Sequence, residues 1–211
     1  MIDIQGTKSS GMTRMFAELL TMKELARRYI PKYWRVRRSA EVVEEELSDY
    51  EDLDIIDMMP YDLDITSVVK VKNPYLWSCY QLKKAEYRKR YGHVSEVTLY
   101  HATAEDNVQS IISENFDWRF SVRTKFGRGV SFSPDLKYAN RHCNSNAGCA
   151  RAMIVASVLV SNKCQGSYST KIPTKGCDTT VGNKDKVYVK YSDNEFYPEY
   201  VIYYNDDSEL Y

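Results

Sequence analysis

From Asp64 onward, apolar and polar residues follow two clear rhythms. Ile65 to Val71 reads as a strand. Asn73-Pro74 then supplies a helix cap with proline in the first turn, and Leu76, Trp77, Tyr80, Tyr87 and Tyr91 recur at helical spacing, predicting a helix to about residue 90. Val97, Leu99 and His101 alternate with Thr98, Tyr100 and Ala102, the period of a strand. Thr103-Ala-Glu-Asp106 has the form of a capping box and predicts a short helix with Val108, Ile111 and Ile112 on one face. Gly127-Arg-Gly129 predicts a tight turn into a strand at Val130 to Phe132, and Ser133-Pro134-Asp135 a helix start. Met153 to Val160 is apolar throughout, as a central strand should be. Val187, Val189 and Tyr191 predict a further strand. Tyr200 to Tyr204 predict another, after a turn at Asn194 and Pro198. Strands outnumber helices and no βαβ alternation is visible, so the expected class is α+β with a mostly antiparallel sheet.

Ahead of this region the pattern changes. Met15, Phe16, Leu19, Leu20 and Leu25 predict an amphipathic helix from Met15 to Tyr29, closed near Pro31. Lys23 to Arg38 carries seven bases with Tyr29, Tyr33 and Trp34 interleaved. This is either an RNA-contacting or nuclear-import patch or a solvated face neutralised by the acids that follow. Residues 41–64 hold eleven acids and no Lys or Arg, and read as a helix followed by a linker. Residues 65–211 hold twenty bases against fifteen acids, net +5, which suits a small phosphate-bearing ligand and is too weak for a nucleic-acid duplex. The five cysteines form no CxxC pair, the first twenty residues show no secretory pattern, and no run of eighteen apolar residues occurs. Reduced thiols in the nucleus or cytoplasm, with no secretion and no membrane span, are expected. His142, Cys143 and Cys149 lack a credible fourth ligand, so no metal is expected.

Candidate chemistry is sparse. The histidines are His93, His101 and His142, and no Ser/His/Asp order, GxxxxGK or HExxH accompanies them. Gly127-x-Gly129 lacks the third glycine and the strand–turn–helix setting of a dinucleotide turn. A histidine on a strand is more often a core residue than a catalyst, and spacing alone names no reaction.

Several ordered segments add what spacing lacks. VKNPYLWSCYQLKK (71–84), LYHAT (99–103), SIISENFDW (110–118), FGRGVSFS (126–133), VASVLVSNKCQG (155–166) and YPEYVIYY (197–204) together resemble the catalytic domain of the poly(ADP-ribose) polymerase family. The resemblance is to the mono-ADP-ribosylating branch found with CCCH zinc fingers and WWE modules, and it covers about residues 48–205. It implies an ADP-ribosyltransferase fold: two mostly antiparallel sheets with short helices, flanking a cleft that holds NAD as co-substrate. It divides the chain into an N-terminal helical and charged extension (1–47), a catalytic domain (48–205) and a tail (206–211).

The resemblance also implies roles. His101 matches the histidine that bonds a ribose hydroxyl of NAD. Ala102 stands where a glycine's backbone pairs with the nicotinamide carboxamide, and Thr103 matches the usual Ser or Thr. Gly127 and Gly129 match the GxG turn. Ser131 replaces one stacking tyrosine, His142 replaces the other, and Ala139 replaces a serine that bonds the carboxamide. Polymer-forming members carry a glutamate where this chain has Val201 or Ile202, and the alignment does not separate the two. Catalytic candidates are therefore His101, Ser131, Val201 and Ile202, and NAD contacts His101, Ala102, Thr103, Gly127, Gly129, Ser131, Ala139 and His142. Two functions follow from the resemblance. One is NAD-dependent mono-ADP-ribosylation of protein side chains with release of nicotinamide. The other is a degenerate domain with weak or no NAD turnover, serving as a protein or RNA interaction module.

Overall fold

The computed structural model describes residues 28–34, 42–46, 59, 63–121 and 124–206. The helix expected over Met15 to Tyr29 lies outside them except at its end, and so does most of the acidic segment. The described residues include nine strands, three complete α-helices and three short 3-10 helices. A five-stranded sheet has the order β1 (Val43–Glu46), β2 (Asp64–Lys72), β9 (Phe196–Asn205), β5 (Ala150–Val160) and β3 (Ser95–Ala104). A four-stranded sheet has the order β4 (Val130–Phe132), β8 (Val187–Lys190), β7 (Thr179–Gly182) and β6 (Lys163–Gln165). Every pairing is antiparallel except β6 with β7. The α+β class and the two antiparallel-rich sheets agree with the sequence reading. No helix among the described residues is long and apolar enough to cross a membrane.

Local chemistry explains the elements that position the site. Helix α1 (Pro74–Tyr91) starts where predicted, with the Asn73 side chain accepting from the Leu76 N–H at 3.0 Å, and stops at Gly92 in the left-handed conformation. Its apolar face buries Leu76, Tyr80 and Tyr87 against Leu159 and Tyr197. Trp34 joins this cluster by packing on Trp77 and Tyr197, at ring separations of 5.6 and 6.3 Å. β5 is buried along almost its whole length between β9 and β3, as its unbroken apolar run requires.

Other local expectations change. The acidic run is a strand where it is described: Glu44, Glu45 and Glu46 lie on β1 opposite Val71, Lys70 and Val69, and Lys72 pairs with Glu45. Cross-strand lysines make an acidic strand tenable where an acidic helix was expected. The capping box does not form, because β3 runs on through Ala104 and the Thr103 hydroxyl accepts from Asn107 Nδ2 instead; α2 (Val108–Glu114) follows without a side-chain cap. Ser133-Pro134-Asp135 does precede a helix, α3 (Leu136–Arg141), yet the cap is Asp135, whose Oδ1 accepts from the Tyr138 N–H. Pro198 lies within β9, beyond the end of the β2 pairing and where the register against β5 shifts, so its missing N–H breaks no ladder.

The four-stranded sheet is tied down by a buried ion network. Lys190 Nζ, fully enclosed, lies 2.8 Å from Asp178 Oδ2, 2.8 Å from the Thr179 hydroxyl and 3.8 Å from Glu195. Burial pushes the Asp178 carboxyl up, and Lys190, Thr179 and the Asn162 N–H outweigh it, holding it below the usual carboxylate range. Lys190→Met should therefore cost about 3–5 kcal/mol in chemical denaturation, since it leaves buried carboxylates uncompensated; a loss below about 1 kcal/mol would show them to be solvated. The turn into β4 is equally exacting. A Cβ on Gly127 (φ +136°) would lie 1.7 Å from the Tyr191 hydroxyl, and one on Gly129 would lie 2.1 Å from the Lys190 carbonyl oxygen. In the same assay Gly129→Ala should cost clearly more than Gly92→Ala, which meets only left-handed strain of about 1 kcal/mol.

Candidate active site

The two sheets meet where β3 passes β4. The Tyr100 N–H donates to the Ser133 carbonyl at 2.8 Å, and the Ser133 N–H returns the bond to Tyr100 at 2.9 Å. Outward- and inward-facing backbone pairs alternate along an antiparallel strand. Tyr100 points its pair outward to Ser133, His101 faces Ile154 of β5, and Ala102 points its N–H and C=O outward again, just past the junction. Ala102 is not among the residues with positive φ, so alanine carries no backbone strain where the family resemblance implies glycine.

His101 is held from three sides. Its ring meets Phe116 and Phe132 edge to face, at 5.0 and 5.9 Å, and those rings meet each other and Phe196. Nδ1 lies 2.8 Å from the Ser131 carbonyl oxygen. A carbonyl only accepts, so Nδ1 carries the proton and Nε2 presents a lone pair. Burial holds the imidazole below its usual pKa, only partly offset by the Ser131 bond, so the ring is neutral near pH 7. Ser131 acts here through its backbone, which any residue would supply.

The cross-strand register sorts the other candidates. Ala102, Met153, Ile202 and Val68 form one row across the sheet; His101, Ile154, Val201 and Val69 form the adjacent row, which faces the other way. Ala102, Ala139 and Ile202 accordingly share one apolar cluster with Leu136, Cys143, Met153 and Met59, while Val201 packs with Phe116 and Phe132 on the His101 side. The register thus separates the two residues that the motif left joined. Glu199 stands apart from both rows: it accepts from the Ser157 hydroxyl at 2.7 Å, beside Tyr80 of α1.

His142 closes α3 and is exposed. Its ring stacks on Tyr138 with centroids 3.9 Å apart and 15° between planes, and its Nδ1 donates to the Tyr138 carbonyl. One ring face is thereby covered by the chain itself. The sequence reading missed Tyr138 and the Phe116–Phe132 box. The i, i+4 spacing of Tyr138 and His142 was a usable signal; the box, which brings Phe116 of an irregular stretch against Phe132 on β4, offered none. Gly127 and Gly129 are accounted for by their close approach to Tyr191 and Lys190.

Comparison with known proteins is consistent with this geometry. The profile of the poly(ADP-ribose) polymerase catalytic domain matches residues 54–205. The chain is 29% identical over 159 residues to the mouse protein mono-ADP-ribosyltransferase PARP12 and 30% identical to its human counterpart, covering 69% of this chain and 22% of each. It is 26% identical over 170 residues to mouse protein mono-ADP-ribosyltransferase PARP11, covering 65% of this chain and 51% of that protein. The chain therefore spans between about a fifth and a half of these relatives. The family profile covers well over half of the chain, which belongs to the poly(ADP-ribose) polymerase catalytic domain family.

Proposed function

We propose that this domain transfers single ADP-ribose units from NAD to protein side chains. The observation that carries the proposal is the β3 edge, where a neutral histidine acceptor and an outward backbone N–H/C=O pair stand side by side. NAD supplies an activated glycosidic bond, and nicotinamide is its leaving group. His101 Nε2 accepts from a ribose hydroxyl, with Nδ1–H held by Ser131 so that the ring cannot turn. The backbone of Ala102 pairs with a primary carboxamide, donor to acceptor and acceptor to donor. Rate enhancement rests on orientation, because the reacting ribose is held between these two grips. A side chain of the target protein attacks C1′ as the bond to nicotinamide breaks, and loses its proton, where it carries one, to solvent.

Ile202 shares the Ala102 face and is apolar, so no carboxylate stands there to polarise the hydroxyl of a second ADP-ribose. Single units follow. With labelled NAD, the full chain should give discrete modified bands and a mass increment of one ADP-ribose per site, and His101→Ala should lose at least about tenfold in rate. A polymer smear would sink the mono-transfer reading; equal labelling by His101→Ala would sink the site.

The second reading, a domain with little NAD turnover, is favoured by the continuous apolar cluster of Ala102, Ala139 and Ile202, which offers neither hydroxyl nor acid. Thermal melts separate the two. A binder gains about 2.7 kcal/mol at a hundredfold excess over Kd; an unmoved melting temperature in millimolar NAD would favour the second reading. An RNA role for the basic segment is weakened by Trp34, which is stacked within the fold, leaving Tyr33 and Tyr29 at the described surface.

The pH dependence has a definite sign. The folded pKa of His101 lies below the unfolded value of about 6.5, so the unfolded chain takes the proton first as pH falls. The stability contribution is complete above about pH 6.5 and is lost as pH drops through the depressed value. Protonation also turns Nε2 from acceptor to donor. NAD affinity should thus hold from pH 7.5 to about 6.5 and fall only well below it; calorimetric titrations that show loss beginning above pH 7 would contradict a buried neutral ring.

A further inference from the structure

Helix α3 has six residues, too few to hold its own place, yet it carries Ala139 and ends on His142. Asp135 anchors its start, accepting from the Tyr138 N–H and pairing with Lys186. Its far end is held by a different device. Asn140 Nδ2 donates to Asp206 Oδ2 at 2.8 Å, and Asn140 Oδ1 accepts from the Tyr204 hydroxyl at 2.7 Å. Arg151 Nη1 reaches the same Asp206 oxygen at 2.6 Å, and Arg151 Nε donates to the Gly148 carbonyl at 2.8 Å. The Arg151 and Asp206 side chains are each 4% exposed. Arg151 and Tyr204 are direct cross-strand partners on β5 and β9, so both floor positions are set by the sheet itself. Asp206 lies just beyond the family match of 54–205, and its N–H donates to the Cys149 carbonyl, fixing it above β5.

We infer that Asn140, Tyr204, Arg151 and Asp206 form a positioning latch that sets how far Ala139 and the His142 ring stand from the Ala102 edge, and so the width of the slot that takes the nicotinamide end of NAD. The Arg151–Asp206 bond is buried and charge-assisted, hence strong and directional, and the part-buried bonds of Asn140 are built onto it. A side-chain amide bridging a carboxylate and a phenol has little freedom to slide. The latch therefore transmits the position of the central strands to the last turn of α3. The functional half of this inference rests on reading β3 as the NAD edge; the positional half does not.

Three histidines make the test direct. In ring-labelled histidine NMR spectra of the full chain, Asn140→Ala should move the His142 signals as the stack on Tyr138 loosens, while His93, whose ring nitrogens lie 3.2 and 3.1 Å from the Tyr91 and Ser161 carbonyl oxygens, stays. Tyr204→Phe removes one hydroxyl from the latch, keeps the buried ring, and should move His142 in the same direction by less. In transfer assays both variants should raise KM for NAD, about tenfold for Asn140→Ala, with kcat within about twofold. His142 signals unmoved in both folded variants, even with a lowered melting temperature, would overturn the latch. A fall in kcat at constant KM would overturn its role in gripping NAD. A wild-type chain that transfers nothing from NAD overturns the site reading alone, and the His142 signals still decide the latch.

Discussion

The arrangement of the two sheets depends on one buried ammonium. Lys190 lies on β8 with no exposure, and its partners come from three places: Asp178 and Thr179 at the start of β7, Glu195 at the start of β9, and Tyr87 on α1, whose ring lies 5.3 Å from Nζ. Tyr87 also donates to Glu195, and Glu195 accepts from the Tyr191 and Ser192 N–H groups. An unpaired charge here would be prohibitively costly, so both sheets and the helix must hold the positions that satisfy it. Lys190 is the β-partner of Val130, and its carbonyl lies against Gly129, so the same network places β4.

That placement carries through to the candidate site. The His101–Ser131 bond crosses from one sheet to the other, and its geometry is only as good as their registration. The bond selects the tautomer, burial against the aromatic rings keeps the imidazole neutral, and together they present an acceptor at an open strand edge. On the opposite face of β3 the wall is apolar. The site thus has two unlike sides, one polar through backbone and imidazole, the other shaped by small side chains and by α3.

Much of this was legible in the residues. The α1 cap and stop, the buried β5 run and the β3 alternation each declare themselves within a dozen positions, where local chemistry and period suffice. β1 was hidden because acidic residues make poor strands until lysines stand opposite. β7 was hidden because Thr179-Thr-Val-Gly182 shows no alternation, all four residues being buried. The Thr103 capping box failed for a related reason: cross-strand pairing with β5 extends β3 past the position where a local motif would start a helix.

By itself, the sequence determined the class of fold and the family, and it pointed to His101 and to an apolar residue, Val201 or Ile202, at the last motif position. Tertiary structure alone decided which way things face. Val201 and Ile202 are equally apolar, and alternation says only that they point apart; their register against Met153 and Ile154 assigns Ile202 to the Ala102 side. The same holds for His101, whose neutrality and free Nε2 arise from Ser131, Phe116 and Phe132, and for His142, one face of which Tyr138 already covers. Period and propensity act within a segment, whereas burial, tautomer and facing are set by what a distant segment brings alongside.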